Sequence, residues 1–452
     1  MPSRAPSTSS ADRATGTAVR PIQSATPPTP APAPASAAAA TPVAAPAPAP
    51  TPHPLPVPHG VFLVLIAVCT AVTAANIYLA APLLPLMARD FGSTPSAVAW
   101  VASVAQFGYA AGLLFFAPLG DRVNRRRLVA VLSLVTAVAL VLGAAASGTT
   151  ALAAAILVAS AATVVPQLLV PLVAERAPAH RRASHVAAVI AGLFTGVVAA
   201  RVLGALAGQA FGWRSVFVGA AVLTALLGLA SAAVLPKEHR RCTGPLFAGL
   251  AQLPGVVRGS ADLRRACVRQ AGMYGAWSAL WTSLALLLTE GGSGGYGMTT
   301  ATAGLFGLFG LAAAVVAPLA GGLVDRFGAA KVVSYAYGAA GISVPLFWLG
   351  GGALWALCAA ATALHMALVA NHVANQTLAL TTTSTPAVAN TAYVVAGFAG
   401  GALASALAGS AYTHWGWTGV CAVAALWLTL GWASTAIPAR RGGGKAAGAG
   451  VA

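Results

Sequence analysis

The chain has 452 residues, 58% hydrophobic and only 7% charged, with a mean hydropathy of +0.80. A soluble globular protein carries about 25% charged residues, so the composition excludes one and indicates an integral membrane protein. The formal net charge of +17 does not point to nucleic acid, because the basic residues gather in short turns between apolar runs, as the positive-inside bias requires.

Residues 1–58 are rich in Pro, Ala, Ser and Thr. They cannot bury enough apolar surface to fold and are expected to form a disordered cytoplasmic tail, without the apolar core and cleavage site of a signal peptide. Twelve apolar runs follow, near 61–87, 97–118, 128–147, 151–174, 186–208 and 215–235, then near 268–290, 300–322, 331–349, 353–378, 388–410 and 418–437. Each reaches the ~20 residues a spanning helix needs. In lipid such runs are helices, since every backbone polar group has to be satisfied within its own segment. A barrel would show alternation over about ten residues instead. The expected fold is all-α, with twelve transmembrane helices in two six-helix halves. The bundles are expected at 59–236 and 267–438, with a linker at 237–266 and a tail at 439–452.

Lys and Arg set the orientation. Arg122, Arg125, Arg126 and Arg127 follow the second run, and Arg176, Arg181 and Arg182 the fourth. The connector holds Lys237, Arg240, Arg241, Arg258, Arg264 and Arg265; Arg326 and Lys331 follow the eighth run. The alternate turns offer only Arg89 and Arg214, so both termini are expected in the cytoplasm. Trp100, Trp213, Trp348, Trp355, Trp415 and Trp417 fall near the expected outer ends, as an interfacial aromatic belt would.

One stretch occurs twice. Ala117-Pro118-Leu119-Gly120-Asp121-Arg122-Val123-Asn124-Arg125-Arg126-Arg127 returns 204 positions on as Gly321-Gly322-Leu323-Val324-Asp325-Arg326-Phe327-Gly328-Ala329-Ala330-Lys331. The same offset carries Gly212-Trp213 onto Gly416-Trp417, which indicates a duplicated half. The Asp-Arg turns after helices two and eight resemble the signature loop of the major facilitator superfamily. Asn76-Ile77-Tyr78 with Pro82-Leu83-Leu84-Pro85, and Gly212-Trp213-Arg214, are similar to bacterial efflux members of its drug:proton antiporter branch. That resemblance implies alternating access, and a gating role for Asp121, Arg122, Arg126, Asp325 and Arg326 in ion pairs that cross between halves. Asn124 and Ala117 replace the usual glycines of the first turn, and Ala200-Arg201 stands where the branch has Gly-Pro.

Arg201 is the costliest residue. It lies roughly 22 Å from the cytoplasmic start of its run, and a charge at such depth costs about 2.5 kcal/mol or more and usually faces a cavity. The alternative is an arginine tied to carbonyls between helices. Gly192, Gly196, Ala200, Gly204 and Gly208 form a small-residue ridge on the same run, suited to close packing. Asn76, Tyr78, Gln106 and Tyr109 lie at comparable depth, and either line a cavity with Arg201 or bridge helices. Asn371 and Asn375 are the second-half cavity candidates, with His372 and Gln376 beside them. Trp277, Trp281 and Thr282 read as packing.

None of the eight acidic residues lies deep in a run. His365, near mid-membrane, is therefore the first proton-coupling candidate, with Glu290 and Asp90 near the outer face as substitutes. A buried arginine without a nearby carboxylate suggests an anionic group on the substrate. No ATP-binding loop, no metal-ligand spacing among the five cysteines and no nucleophile–base pattern appear, so neither an enzyme nor a cofactor is expected. The reading is a monomeric secondary transporter of the inner or plasma membrane that exports a small organic compound by proton exchange. An uptake symporter or uniporter for a metabolite is the alternative, and a non-transporting sensor or scaffold the alternative of another class.

Overall fold

A computed structural model of the chain describes residues 57–121, 123–176, 182–235, 248–381 and 386–436. The expected N-terminal tail up to residue 56, Arg122, Arg181, the first part of the linker, Ser384-Thr385 and the C-terminal tail lie outside the described residues. Regular structure among the described residues is helical throughout. The first helices are α1 (His59–Tyr78), α2 (Leu84–Asp90), α3 (Pro95–Val98), α4 (Trp100–Phe116), α5 (Arg125–Ala144), α6 (Thr149–Ala162), α7 (Val165–Arg176), α8 (Arg182–Phe211) and α9 (Trp213–Val234). There follow α10 (Ala248–Gly259), α11 (Ala261–Thr289), α12 (Thr300–Gly304), α13 (Ala312–Phe327), α14 (Ala329–Leu349), α15 (Leu354–Thr381) and α16 (Pro386–Ala436).

Ten helical stretches among the described residues are long and apolar enough to cross a membrane, against the twelve runs read from the sequence. Two features account for the difference. The last stretch, Val388–Ser434, has 47 residues and would extend about 70 Å, more than twice a hydrocarbon core of ~30 Å. Its backbone leaves the helical region at Gly416, with φ 59° and ψ −151°. The run near 300–322 is divided because Leu305–Leu311 winds as a 3-10 helix between α12 and α13.

The repeat is visible in the backbone. Gly212 and Gly416, 204 positions apart, both have positive φ, 83° and 59°, a region a side chain enters only at a cost. Each turns the following tryptophan inward. Trp213 donates Nε1–H to Asp90 Oδ2 at 3.3 Å and Trp417 to the Phe347 carbonyl at 2.6 Å. Both indoles are therefore buried instead of joining an exposed belt, unlike Trp348, Trp355 and Trp415, which are exposed. The Asp-Arg turns are solved differently. Gly328 takes φ 84°, while Asn124 keeps φ −63° and caps α5 by accepting the Arg127 N–H at 3.3 Å.

Packing separates two kinds of surface. Val131, Leu134, Val138 and Leu142 of α5, with Leu223 and Leu226 of α9, are exposed, the arrangement an apolar solvent rewards. Inside, α11 is buried along nearly its whole length and packs on α15 and α16. The small-residue ridge of α8 meets α1: a β-carbon on Gly192 would fall 2.6 Å from the Ala67 carbonyl oxygen, and one on Gly196 would collide with the Ala71 backbone. Helix α4 packs on α16 and α8 on α12, so the helices before the linker meet those after it along two seams.

Candidate substrate site around Arg201

Tyr274, Trp277 and Trp281 recur at three- and four-residue spacing on α11 and so share one helix face. That face meets Arg201 of α8. The guanidinium lies 4.3 Å from the Trp281 ring centroid, 4.7 Å from Trp277 and 5.6 Å from Tyr78 at the end of α1. Arg201 is 7% exposed. Among the described residues it has neither a hydrogen bond nor a carboxylate partner. A desolvated cation–π contact contributes about 1–2 kcal/mol, so several rings together offset a burial cost of about 2.5 kcal/mol or more. A cavity of about 30 Å³ adjoins the guanidinium, lined also by Pro82, Trp281, Leu284, Leu288 and Gly304.

The 3-10 segment shapes the opposite wall. With three residues per turn it places every third side chain in line, and those positions are Gly307 and Gly310, continuing from Gly304 at the end of α12. A β-carbon there would fall 2.8 Å from the Arg201 carbonyl oxygen, 2.7 Å from Arg201 Cβ and 3.0 Å from Val198 Cγ2. The missing side chains let this backbone pass directly over Arg201.

His365 of α15 completes the cluster. Trp277 Nε1 lies 3.2 Å from His365 Nε2, and His365 Nδ1 lies 3.1 Å from the Ala361 carbonyl oxygen. An indole only donates and a carbonyl only accepts, so the proton sits on Nδ1 and the ring is neutral. A proton can enter Nε2 only when the Trp277 indole leaves, and that indole is also a wall of the Arg201 cage.

The remaining candidates divide. Tyr78 and Tyr274 hydroxyls are 2.8 Å apart, and Gln106 Nε2 donates to Ser278 Oγ of α11. Tyr109 accepts from Gln167 Nε2 at 3.3 Å, and its ring lies 4.5 Å from that of Phe398, which itself is 4.9 Å from Tyr274. Asn76 turns away and donates to Thr224 Oγ1 of α9 at 2.9 Å. Residues two apart on a helix do not face one another, so Asn76 and Tyr78 line different surfaces. Tyr274 and Ser278 were not anticipated, although the aromatic spacing on α11 carried a signal.

Asn371 and Asn375 join a separate buried group. Gln270 Oε1 accepts from Asn371 Nδ2 at 3.2 Å and from the Tyr393 hydroxyl at 2.6 Å, while Asn375 Nδ2 donates to the Ala266 carbonyl at 2.8 Å. Gln270→Leu strands the buried Asn371 amide and leaves the Tyr393 hydroxyl only its longer 3.4 Å contacts to His372. It is expected to cost about 3 kcal/mol of stability, read as a lower melting midpoint of the purified protein; an unchanged midpoint contradicts this role.

At the Asp-Arg turns, Arg122 and the Asp121 side chain lie outside the described residues. Arg126 is half-buried, whereas its neighbour Arg125 is buried and donates Nε–H to the Gly120 carbonyl at 3.0 Å. Asp325 and Arg326 are exposed at the end of α13, and no ion pair to Asp325 is present among the described residues. At the opposite end, Glu290 accepts from the Tyr412 hydroxyl and Asp90 pairs with Arg214. Neither carboxylate contacts Arg201. No group of three or more His, Cys, Asp or Glu residues that could hold a metal occurs among the described residues.

Residues 66–266 match the Major Facilitator Superfamily. Over 380 residues the chain is 76% identical to "Probable transporter SCO4007" of Streptomyces coelicolor, covering 84% of this chain and 88% of that one. It is 32% identical over 362 residues to "Uncharacterized transporter YgaY" of Escherichia coli O157:H7, covering 79% and 91%. Among solved structures, a bacterial homologue of the human lysosomal transporter Spinster, inward-facing and unoccupied, aligns with TM-score 0.61 at 16% identity over 83% of this chain and 94% of that one. The nucleoside transporter NupG aligns with TM-score 0.63 at 13% identity over 83% and 98%. On the strength of the two sequence relatives, each matched over most of its length, the chain belongs to the Major Facilitator Superfamily of transporters.

Proposed function

We propose that this transporter exports a small organic compound in exchange for protons, by alternating access of two six-helix halves at 59–236 and 267–438. The twelve crossings of this reading come from dividing Val388–Ser434 at Gly416 and counting Thr300–Phe327 as one. Both termini then face the cytoplasm of an inner or plasma membrane. The observation that carries the reading is the Arg201 cage: α1 and α8 of one half and α11 of the other enclose a single buried cation beside a cavity. Such a site opens to one side or the other as the halves rock.

One observation favours a second reading of the coupling. The cage holds Arg201 and His365 and no carboxylate. A proton on His365 beside Arg201 is repelled unless an anion stands with it, so proton and anionic substrate would move together. Proteoliposomes separate the two. With the substrate gradient directed inward, exchange alkalinises the lumen and co-transport acidifies it. Flux that persists unchanged when the pH gradient is dissipated, with no lumenal pH change, contradicts proton coupling in both forms.

A further inference from the structure

We infer that Arg201 and Trp281 form a carboxylate-binding subsite, and that the transported compound is a small organic monoanion with an apolar body. This rests on the transport reading and names its substrate class. Two hydrogen-bond donors on residues that line the cavity lack acceptors. Arg201 has no acceptor among the described residues, and the Trp281 indole Nε1 is buried without a partner, its side chain more than nine-tenths buried. Buried donors are nearly always paired, so two orphans on one cavity indicate a missing acceptor.

The geometry narrows what that acceptor is. The guanidinium carbon lies over the Trp277 and Trp281 rings, and aromatic faces accept none of its N–H groups in a full hydrogen bond, which leaves these for a ligand. A carboxylate accepts two such bonds in parallel. The rest of the lining, including Ala81, Pro82, Leu284 and Leu288, offers neither charge nor hydrogen-bonding side chains. At about 30 Å³ the cavity holds little more than water here, so an alkyl or aryl body enters against this apolar wall as the halves part. No carboxylate adjoins the cage to balance a cationic substrate. With one fixed charge, a monoanion is neutralised and a dianion is not.

The test uses the purified full-length protein and three matched probe sets: straight-chain monocarboxylates, their primary amides and the corresponding amines. Thermal stabilisation is expected for the acids and not for the amides or amines. Arg201→Lys keeps the charge but loses the fork, and is expected to weaken acid binding by about tenfold or more. Trp281→Phe keeps a ring and removes the N–H, and is expected to weaken it by about fivefold or more. Equal stabilisation by acids and amides, preference for amines, or equal effect of inorganic phosphate overturns the subsite, as does acid binding untouched by both substitutions. Flux of all three sets in proteoliposomes keeps the two readings apart. Transport of amides or amines without acids overturns the subsite and leaves transport standing, whereas acid binding without flux supports the subsite and contradicts transport.

Discussion

Gly196→Leu is expected to abolish assembly of the protein or to destabilise it by about 3 kcal/mol or more. The β-carbon alone would collide with the Ala71 backbone of α1, and backbone cannot rotate away as a long side chain can. One turn earlier, Gly192 meets Ala67 in the same manner, so α1 and α8 are apposed over two turns with nothing between them. Helix α8 carries Arg201 and α1 carries Tyr78, so separating the two helices also separates the cation from one of its rings. A control comes from the neighbouring helix. Gly219 has nothing within 4 Å of a built β-carbon, and Gly219→Ala should be neutral or stabilising by up to ~1 kcal/mol through helix propensity. Melting midpoints of the purified variants check the contrast. Equal midpoints for the Gly196 and Gly219 substitutions contradict the close α1–α8 packing.

Much of the fold was legible because it depends on sums and spacings. Composition fixes the solvent, apolar run length fixes the helices, and the 204-residue offset is answered by left-handed glycines at Gly212 and Gly416. The site was legible only in part, for a geometric reason. Counting residues gives height along a helix at about 1.5 Å each, but the direction of a side chain changes by about 100° per residue and depends on the neighbouring helix. Height places Asn76, Tyr78, Gln106 and Tyr109 at the depth of Arg201, and His365 near mid-membrane. It leaves open whether Asn76 lines the cavity or bridges helices, whereas the side chain bonds Thr224, and it does not bring Trp281 to Arg201. The resemblance, not height, names Arg126; its neighbour Arg125 is the buried one. The 3-10 segment was hidden because Gly304, Gly307 and Gly310 also fit an ordinary apolar run.

The aromatic face of α11 carries a charge contact in an unremarkable pattern. Tryptophans four residues apart ordinarily denote packing. Here they pack against a charge: Trp277 gives its N–H to His365 while its ring lies 4.7 Å from the guanidinium. One side chain thereby connects the titratable group to the cage, and its movement changes both.

The central claim is that two halves part and close around the Arg201 cage. Ala99, just before α4, and Gly409 of α16 meet across one seam, with a built β-carbon 3.3 Å from Ala99 Cβ, close to the spacing of a disulfide. The measurement is flux through a variant carrying Ala99→Cys and Gly409→Cys, with the five native cysteines replaced by serine. Oxidation is expected to cross-link the pair and stop transport, and reduction to restore it. Full flux through quantitatively cross-linked protein would contradict the account.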